Sequence, residues 1–311
     1  MPSIAYLGPQ GTFTEAALLQ LTAADAIPIA GAVTPLPVDS TSASLECVRA
    51  GTADYACVPI ENSIEGSVLP TLDSLAVGAP LQIFAETVLE VSFTIAVRPD
   101  HTGDVTTVAA FPVAAAQVRR WLADKLPGAQ VVPAQSNAAA AHDVADGRAD
   151  AAVSTVLAAE RLGLRVLASG VVDEASARTR FLLAGRPAPP PARTGADRTS
   201  VVLRLANSPG ALVTAMTELS VRDIDLTRIE SRPTRTGLGT YMFFLDFVGH
   251  IDDDAVAEAL RALHRRCADV RYLGSWPTGV AVGAPPPELD DASRWLAALR
   301  DGTLGDAEVN E

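Results

Sequence analysis

The chain has 311 residues, of which 48% are hydrophobic and 20% charged, with a formal net charge of -13. That length suggests two domains, each able to bury a core, and the acidic balance argues against nucleic acid, whose phosphates need a basic face. No basic segment leads into an apolar core at the N-terminus, and no run of about 18 uncharged apolar residues reads as a membrane span, so a cytoplasmic protein without a membrane partner is expected.

Three cysteines, Cys47, Cys57 and Cys267, form neither a paired framework nor a zinc-ligand spacing, and the four histidines are scattered. The expectation is a reducing compartment and no metal.

Ser3 to Leu7 reads as the first strand, followed by Gly8-Pro9-Gln10-Gly11 and a helix opening at Thr12-Phe13-Thr14-Glu15. Thr12 and Glu15 have the spacing of a capping box, a structural duty. Gly11 and Thr12 are candidates for ligand contact, because glycine admits a ligand to the backbone and a helix N-terminus favours a carboxylate. Further along, Asp54 to Val58 has the apolar character of a buried strand, and the run through Ile60 stops at Glu61-Asn62-Ser63, a cluster able to face a polar ligand. Gly66-Ser67 is placed to cap a helix through Leu69, Leu72 and Leu75. The plain alternative for this segment is a polar loop that only caps a helix.

Seven residues of one segment recur 96 positions later: Ser40, Ala43, Val48, Gly51, Ala53, Asp54 and Ala56 reappear as Ser136, Ala139, Val144, Gly147, Ala149, Asp150 and Ala152. Each copy reads as a serine-capped helix, a glycine terminator and a buried strand. Two similar α/β lobes are therefore expected, ending strands at Glu61-Asn62-Ser63 in one and Ser154-Thr155 in the other, with a cleft between them. Thr87 to Val97 and Val166 to Leu167 read as further strands, with crossings between lobes near Glu86 and near Gly170. A last strand, Phe181 to Ala184, carries Thr179 and Arg180 at its start. Composition bias in an Ala-rich chain is the alternative source of the repeat.

Arg186 to Pro191 and the following residues to Arg198 read as a stiff linker. Beyond it, Ser200–Leu205, Pro209–Ser220, Leu226–Glu230, Thr240–Val248, Asp253–Cys267 and Val270–Gly274 follow the ferredoxin-like βαββαβ order. Pro209 is expected at the first helical position, after Asn207-Ser208. After Pro285-Pro286-Pro287, Ala292 to Arg300 is amphipathic, with Trp295, Leu296 and Leu299 on one face, and the acidic end after Asp301 reads as disordered.

The segments GPQGTFTEAA at Gly8, VPIENSIEGSV at Val58 and ARTRFLL at Ala177 together resemble prephenate dehydratases, in that order and at suitable spacing. The second half resembles the ACT regulatory domain that those enzymes carry, with Glu230-Ser231-Arg232-Pro233 similar to its ESRP motif. The implied fold is α/β: a two-lobed periplasmic-binding-protein-like catalytic domain, 1–186, plus a ferredoxin-like ACT domain, 199–279. The lobes would comprise about 1–86 with 168–186, and 87–167, with a linker at 187–198 and a tail with a short helix at 280–311.

The resemblance implies that prephenate loses carbon dioxide and its ring hydroxyl to become phenylpyruvate, with no cofactor because aromatisation drives the step. It places the catalytic threonine at Thr179, within a field set partly by Arg180, and makes Asn62, with Glu61 as the rival acid, part of the catalytic set. Substrate contacts are implied at Gly11, Thr12, Ser63, Gln117, Ser154, Thr155 and Phe181, Phe181 being equally readable as a core anchor. The chain departs from the family at Ala110-Phe111, where many members have Ser-His. Phenylalanine would bind at Asn207, Pro209, Gly210, Ala211, Leu212 and Glu230 to Pro233, between two ACT domains of a homodimer or homotetramer. Arogenate dehydratase and a non-catalytic amino-acid or keto-acid sensor are the competing functions.

Overall fold

The structure is a computed structural model that describes residues 1–23, 31–173, 177–235, 237, 239–287 and 290–303. It divides into two units, residues 1–187 and 188–311, and each is taken by itself. In chain order the first unit runs β1 (Ser3–Leu7), α1 (Phe13–Ala23), β2 (Thr34–Val38), α2 (Thr41–Ala50), β3 (Tyr55–Asn62), β4 (Gly66–Ser67), α3 (Leu69–Ala76), β5 (Gln82–Glu90) and β6 (Phe93–Val97). It continues through β7 (Thr107–Ala110), α4 (Pro112–Gln117), α5 (Arg119–Lys125), β8 (Gln130–Pro133), α6 (Asn137–Ala145), β9 (Ala151–Ser154), α7 (Val156–Arg161), β10 (Arg165–Val171) and β11 (Arg178–Gly185).

Two sheets result, ordered β2-β1-β3-β11-β5 with β4 beside β3, and β10-β6-β9-β7-β8. This is the two-lobed α/β architecture. The internal repeat is visible in its details. Ser40 and Ser136 cap α2 and α6 by accepting the N–H of Ala43 and Ala139, each at 3.0 Å. Gly51 and Gly147 end those helices at φ 76° and 75°, where a β-carbon is penalised. Asp54 then accepts from the Ser3 N–H and hydroxyl, while Asp150 does the same for Thr106 and Thr107, so each aspartate fastens its strand to the neighbour.

The Thr106 hydroxyl, followed by the other hydrogen bonds, holds the Asp150 carboxyl well below the ordinary carboxylate range. Its folded pKa lies below the unfolded value, so its stabilisation is complete above about pH 4 and disappears as pH falls through the folded value. Asp150→Asn is expected to cost about 1–2 kcal/mol at pH 7. The gap in melting temperature from the parent chain should close on acidification, and a pH-independent gap would refute this account.

Several boundaries differ from the sequence expectation. Thr87 to Val97 is not one strand: β5 ends at Glu90 in the first sheet and β6 begins at Phe93 in the second, so the chain crosses at Val91-Ser92 rather than near Glu86. Residues 87–90 therefore belong to the first lobe, because they pair with β11 from Arg178 to Phe181. Gly66-Ser67 does not cap a helix but forms β4, and α3 starts after Val68 without a side-chain cap. The edge strand β2 was hidden by Pro35 and Pro37, which are tolerated at a sheet edge and rarely inside one.

The second unit runs β12 (Asp197–Arg204), α8 (Ala211–Ser220), β13 (Leu226–Pro233), β14 (Tyr241–Val248), α9 (Asp254–Arg266), β15 (Asp269–Pro277) and α10 (Asp290–Asp301). Its antiparallel sheet is ordered β13-β14-β12-β15, the ferredoxin-like arrangement. Helix α8 begins at Ala211, not Pro209, because Gly210 sits at φ 78° and a left-handed residue cannot belong to the helix. The stretch expected to be linker is partly fastened to this unit. The Pro191 carbonyl bonds His250 Nε2 at 3.0 Å, Arg193 pairs with Asp253 at 2.6 Å, and Thr194 and Gly195 donate to Asp197. Trp295, Leu296 and Leu299 of α10 are exposed. The acidic end expected to be disordered lies, from residue 304 on, outside the described residues. No helix among the described residues is long and apolar enough to cross a membrane.

Candidate active site

Strands β3 and β11 run antiparallel, with Thr179 opposite Asn62 and Arg180 opposite Glu61. Successive side chains of a strand point to opposite faces, so these two pairs diverge. On one face, Asn62 Nδ2 donates to Thr179 Oγ1 at 2.8 Å. Asn62 cannot turn away, because its Oδ1 accepts the N–H groups of Ile64 and Glu65, each at 2.9 Å. Thr179 is nearly buried, and its own hydroxyl hydrogen has no acceptor among the described residues. The pair is thus a pre-aimed hydrogen-bond donor: amide N–H to hydroxyl oxygen, with O–H left to donate to a ligand.

On the other face, the Arg180 guanidinium lies between two carboxylates, Glu61 at 3.1 Å and Glu86 at 3.3 Å. Arg180 is 10% exposed and Glu86 only 4%, whereas Glu61 is 43% exposed. Glu86 was named from the sequence only as the neighbourhood of a lobe crossing, not as a site residue; its signal there was a charge after the apolar run Ile83 to Ala85. Ser63 is tied to the backbone of Arg178, its Oγ accepting the Arg178 N–H at 2.9 Å while its own N–H reaches the Arg178 carbonyl at 2.8 Å.

The second lobe supplies Gln117 at the end of α4. Its neighbours Ala114 and Val118 share a hydrophobic cluster with Val91 and with Ala177, two residues before Thr179. The Gln117 carbonyl accepts the Asp173 N–H at 2.7 Å, and its side-chain Oε1 is buried without a hydrogen-bond partner among the described residues. An unmet acceptor of this kind is unfavourable unless a ligand supplies the donor.

Other expected contacts have different occupations. Phe181 is 2% exposed and packs with Ile4, Tyr6, Leu18 and Leu183, so it is a core residue rather than a substrate contact. Ser154 is fully buried and donates to the Asn137 carbonyl at 2.5 Å. Thr155 caps α7 and donates to the Gly11 carbonyl at 2.5 Å, while the Gly11 N–H is taken by Glu15. Both groups therefore join the lobes and are not open to substrate. Thr12 donates to the Leu7 carbonyl and accepts the Glu15 N–H, half of the expected capping box. The reciprocal half shifts by one residue, since the Glu15 carboxylate takes the N–H of Gly11.

A cavity of about 1020 Å³ also opens between the lobes, walled by Gln10, Thr12 and Phe13 on one side and Phe111, Ser136 and Asn137 on the other. Thr179, Asn62 and Gln117 do not line it. In the second unit, Asn207, Pro209 and Gly210 are exposed ahead of the half-buried Ala211 and Leu212, while Glu230 to Pro233 close the edge strand β13.

Residues 4–189 match the family model for prephenate dehydratase, and residues 199–265 match that for the ACT domain. A "Prephenate dehydratase" of Mycobacterium sp. (strain JLS) is 78% identical, covering 97% of each chain. A crystal structure of prephenate dehydratase in complex with L-Phe from Arthrobacter aurescens aligns with TM-score 0.84 and 40% identity, covering 96% of this chain and 100% of that one. A structure described as a novel type of quorum quenching acylase is 31% identical, with TM-score 0.78, covering 89% of this chain and 98% of that one. With its catalytic-family match spanning the first unit and its relatives matching end to end, the chain belongs to the prephenate dehydratase family and carries an ACT domain.

Proposed function

We propose that this chain is a phenylalanine-regulated prephenate dehydratase in which Thr179 assists the departing hydroxyl. The prephenate dianion takes up one proton and yields phenylpyruvate, carbon dioxide and water. Electrons of the bond to the departing carboxylate enter the ring, and the ring expels its hydroxyl. The observation that carries this role is the Asn62–Thr179 hydrogen bond, which leaves the Thr179 O–H as the donor. Linked donors polarise one another, so an N–H on the hydroxyl oxygen strengthens the O–H as a donor. A threonine hydroxyl is too weak an acid to protonate alone near neutral pH, so Thr179 orients or relays the proton. Gln117 Oε1 is the acceptor assigned to the substrate from the second lobe.

Arg180 and Glu61 are assigned to a structural ion triad with Glu86, on the face away from Thr179. An acylase reaction would need a nucleophile beside a base; Thr179 has an amide donor beside it instead.

Phenylalanine is assigned to the Asn207–Leu212 turn and the Glu230–Pro233 strand end, between ACT domains of a homodimer or homotetramer. The complex of the Arthrobacter aurescens relative with L-Phe supports the effector. Free thiols at Cys47, Cys57 and Cys267 support a cytoplasmic site of action; burial pushes the Cys57 thiol up to about 12, so it is inert.

The test is to mix purified chain with prephenate, without added metal or cofactor, and follow phenylpyruvate absorbance with and without phenylalanine. Absence of turnover refutes the reading, and turnover of arogenate in preference to prephenate reassigns the substrate. Gly210→Val, strained at its left-handed φ, is expected to abolish the response to phenylalanine. Undiminished inhibition in that variant would remove the effector from this turn.

A further inference from the structure

Helix α7 meets the first lobe along one face. Thr155, Ala158 and Arg161 recur every three residues and so lie on the same side of the helix. Thr155 Oγ1 donates to the Gly11 carbonyl at 2.5 Å. Ala158 abuts Gly11 so closely that a β-carbon built on the glycine would stand 2.8 Å from the Ala158 Cβ. Arg161 Nη1 reaches Glu15 Oε2 at 2.6 Å, and that same carboxylate oxygen accepts the Gly11 N–H at 2.6 Å. The Glu15 side chain is 3% exposed and Arg161 is 37% exposed, so the first lobe contributes a buried charge and the second its counter-ion. Burial, followed by the nearby Glu15 charge, raises the Tyr6 hydroxyl pKa, as expected for a phenol beside an enclosed carboxylate.

We infer that Glu15 and Arg161 are positioning residues for the dehydration: their ion pair, with the Thr155–Gly11 bond, latches the two lobes at the angle that presents Gln117 to the Asn62–Thr179 pair. The chain passes between lobes at Val91-Ser92, where the Val91 N–H bonds the Ala177 carbonyl at 2.7 Å. A crossing this short is the natural hinge for rotation of one lobe against the other. In the first sheet β3 separates β1 from β11, so the strand that leads to Gly11 stands two spacings, roughly 10 Å, from β11. A contact off the hinge axis fixes the rotation that the hinge leaves free. Phe13 against Phe93, edge to face at 5.7 Å, lies across the same gap. None of the latch groups touches the Thr179 hydroxyl, so their effect on the reaction passes through lobe geometry.

The inference rests on the dehydratase reading for its kinetic arm alone. The test uses full-length Glu15→Gln/Arg161→Met, which removes both charges and leaves neither buried alone, with Arg161→Lys as the conservative variant. Steady-state kinetics with prephenate and hydrogen exchange of segments 8–16 and 155–163 are measured together. The double variant is expected to raise KM about tenfold with a smaller change in kcat, and to exchange faster in both segments. Arg161→Lys should recover most of the loss, because an ammonium still faces Glu15. Wild-type KM together with wild-type exchange in the double variant overturns the latch. Should the double variant fail to fold, Thr155→Val against Thr155→Ser decides: Ser should match the parent, Val should raise KM and exchange, and equal behaviour of the two overturns the latch. A chain inactive on prephenate would sink the dehydratase reading while the exchange measurements still judged the latch.

Discussion

Thr179→Ala is expected to lower kcat by roughly 10²–10⁴-fold, the range for loss of a positioned proton donor, with a much smaller change in KM. The reason is geometric. Asn62 Nδ2 occupies the acceptor side of the hydroxyl at 2.8 Å, so the hydrogen is directed away from Asn62 and available to a departing group. A residue whose interaction forms only as the hydroxyl leaves affects kcat and kcat/KM together. Thr179→Ser retains the hydroxyl and should keep most of the activity.

Asn62→Ala should be nearly as damaging, because it frees the Thr179 hydroxyl to rotate and releases the N–H groups of Ile64 and Glu65. The double variant should be little worse than either single one, since the two act as a unit. Glu61→Gln provides the contrast: its carboxylate faces Arg180 on the opposite side of the sheet, and turnover should fall far less. Wild-type kcat in Thr179→Ala, measured by single-turnover phenylpyruvate formation, would end the assignment.

Arg180→Met is expected to destabilise the first unit by about 3–5 kcal/mol, the cost of stranding a buried charge. Glu86, 4% exposed, would lose its ion pair with Arg180, and Glu61 would face it as a like charge. For a unit of this size the melting transition should fall by roughly 6–20 °C. Adding Glu86→Gln to Arg180→Met should restore about half of the loss, because the stranded charge then disappears. Glu86→Gln alone should be milder, since Arg180 keeps Glu61 as its partner. Calorimetry of the three variants and the parent chain distinguishes charge stranding from lost packing: equal melting temperatures for Arg180→Met with and without Glu86→Gln would exclude the former.

Much of the local structure was legible in the residues. Ser40 and Ser136 were readable as helix caps because capping acts over three residues, and Gly51 and Gly147 as terminators because a left-handed residue ends a helix on the spot. The six βαββαβ elements of the second unit were readable in order for the same reason. Thr34 to Val38 was illegible because its prolines speak against a strand until β2 is known to be an edge. Gly210 misled in the other direction: Pro209 looked like a helix start, yet the left-handed glycine after it delays α8 to Ala211.

The site divides along the same line. The ordered motifs at Gly8, Val58 and Ala177 were enough to identify the family and to nominate Thr179 and Asn62, while the segment from Ala110 nominated Gln117. Which nominees keep free hydrogen-bonding capacity was not readable: Gly11 and Thr155 are consumed by each other, Phe181 by the core, and Ser154 by a carbonyl.

Sequence by itself determined the Ser40 and Ser136 helix caps, the βαββαβ order of the second unit and the family, all governed by contacts within a few residues or by linear motif order. Tertiary structure alone decided that Thr179 meets Asn62, 117 residues away, and that Arg161 meets Glu15, 146 residues away. The physical reason is register and face. A one-residue shift of β11 against β3 would exchange the Thr179 and Arg180 sides of the sheet, and only the packed sheets and the latched lobes select one alternative.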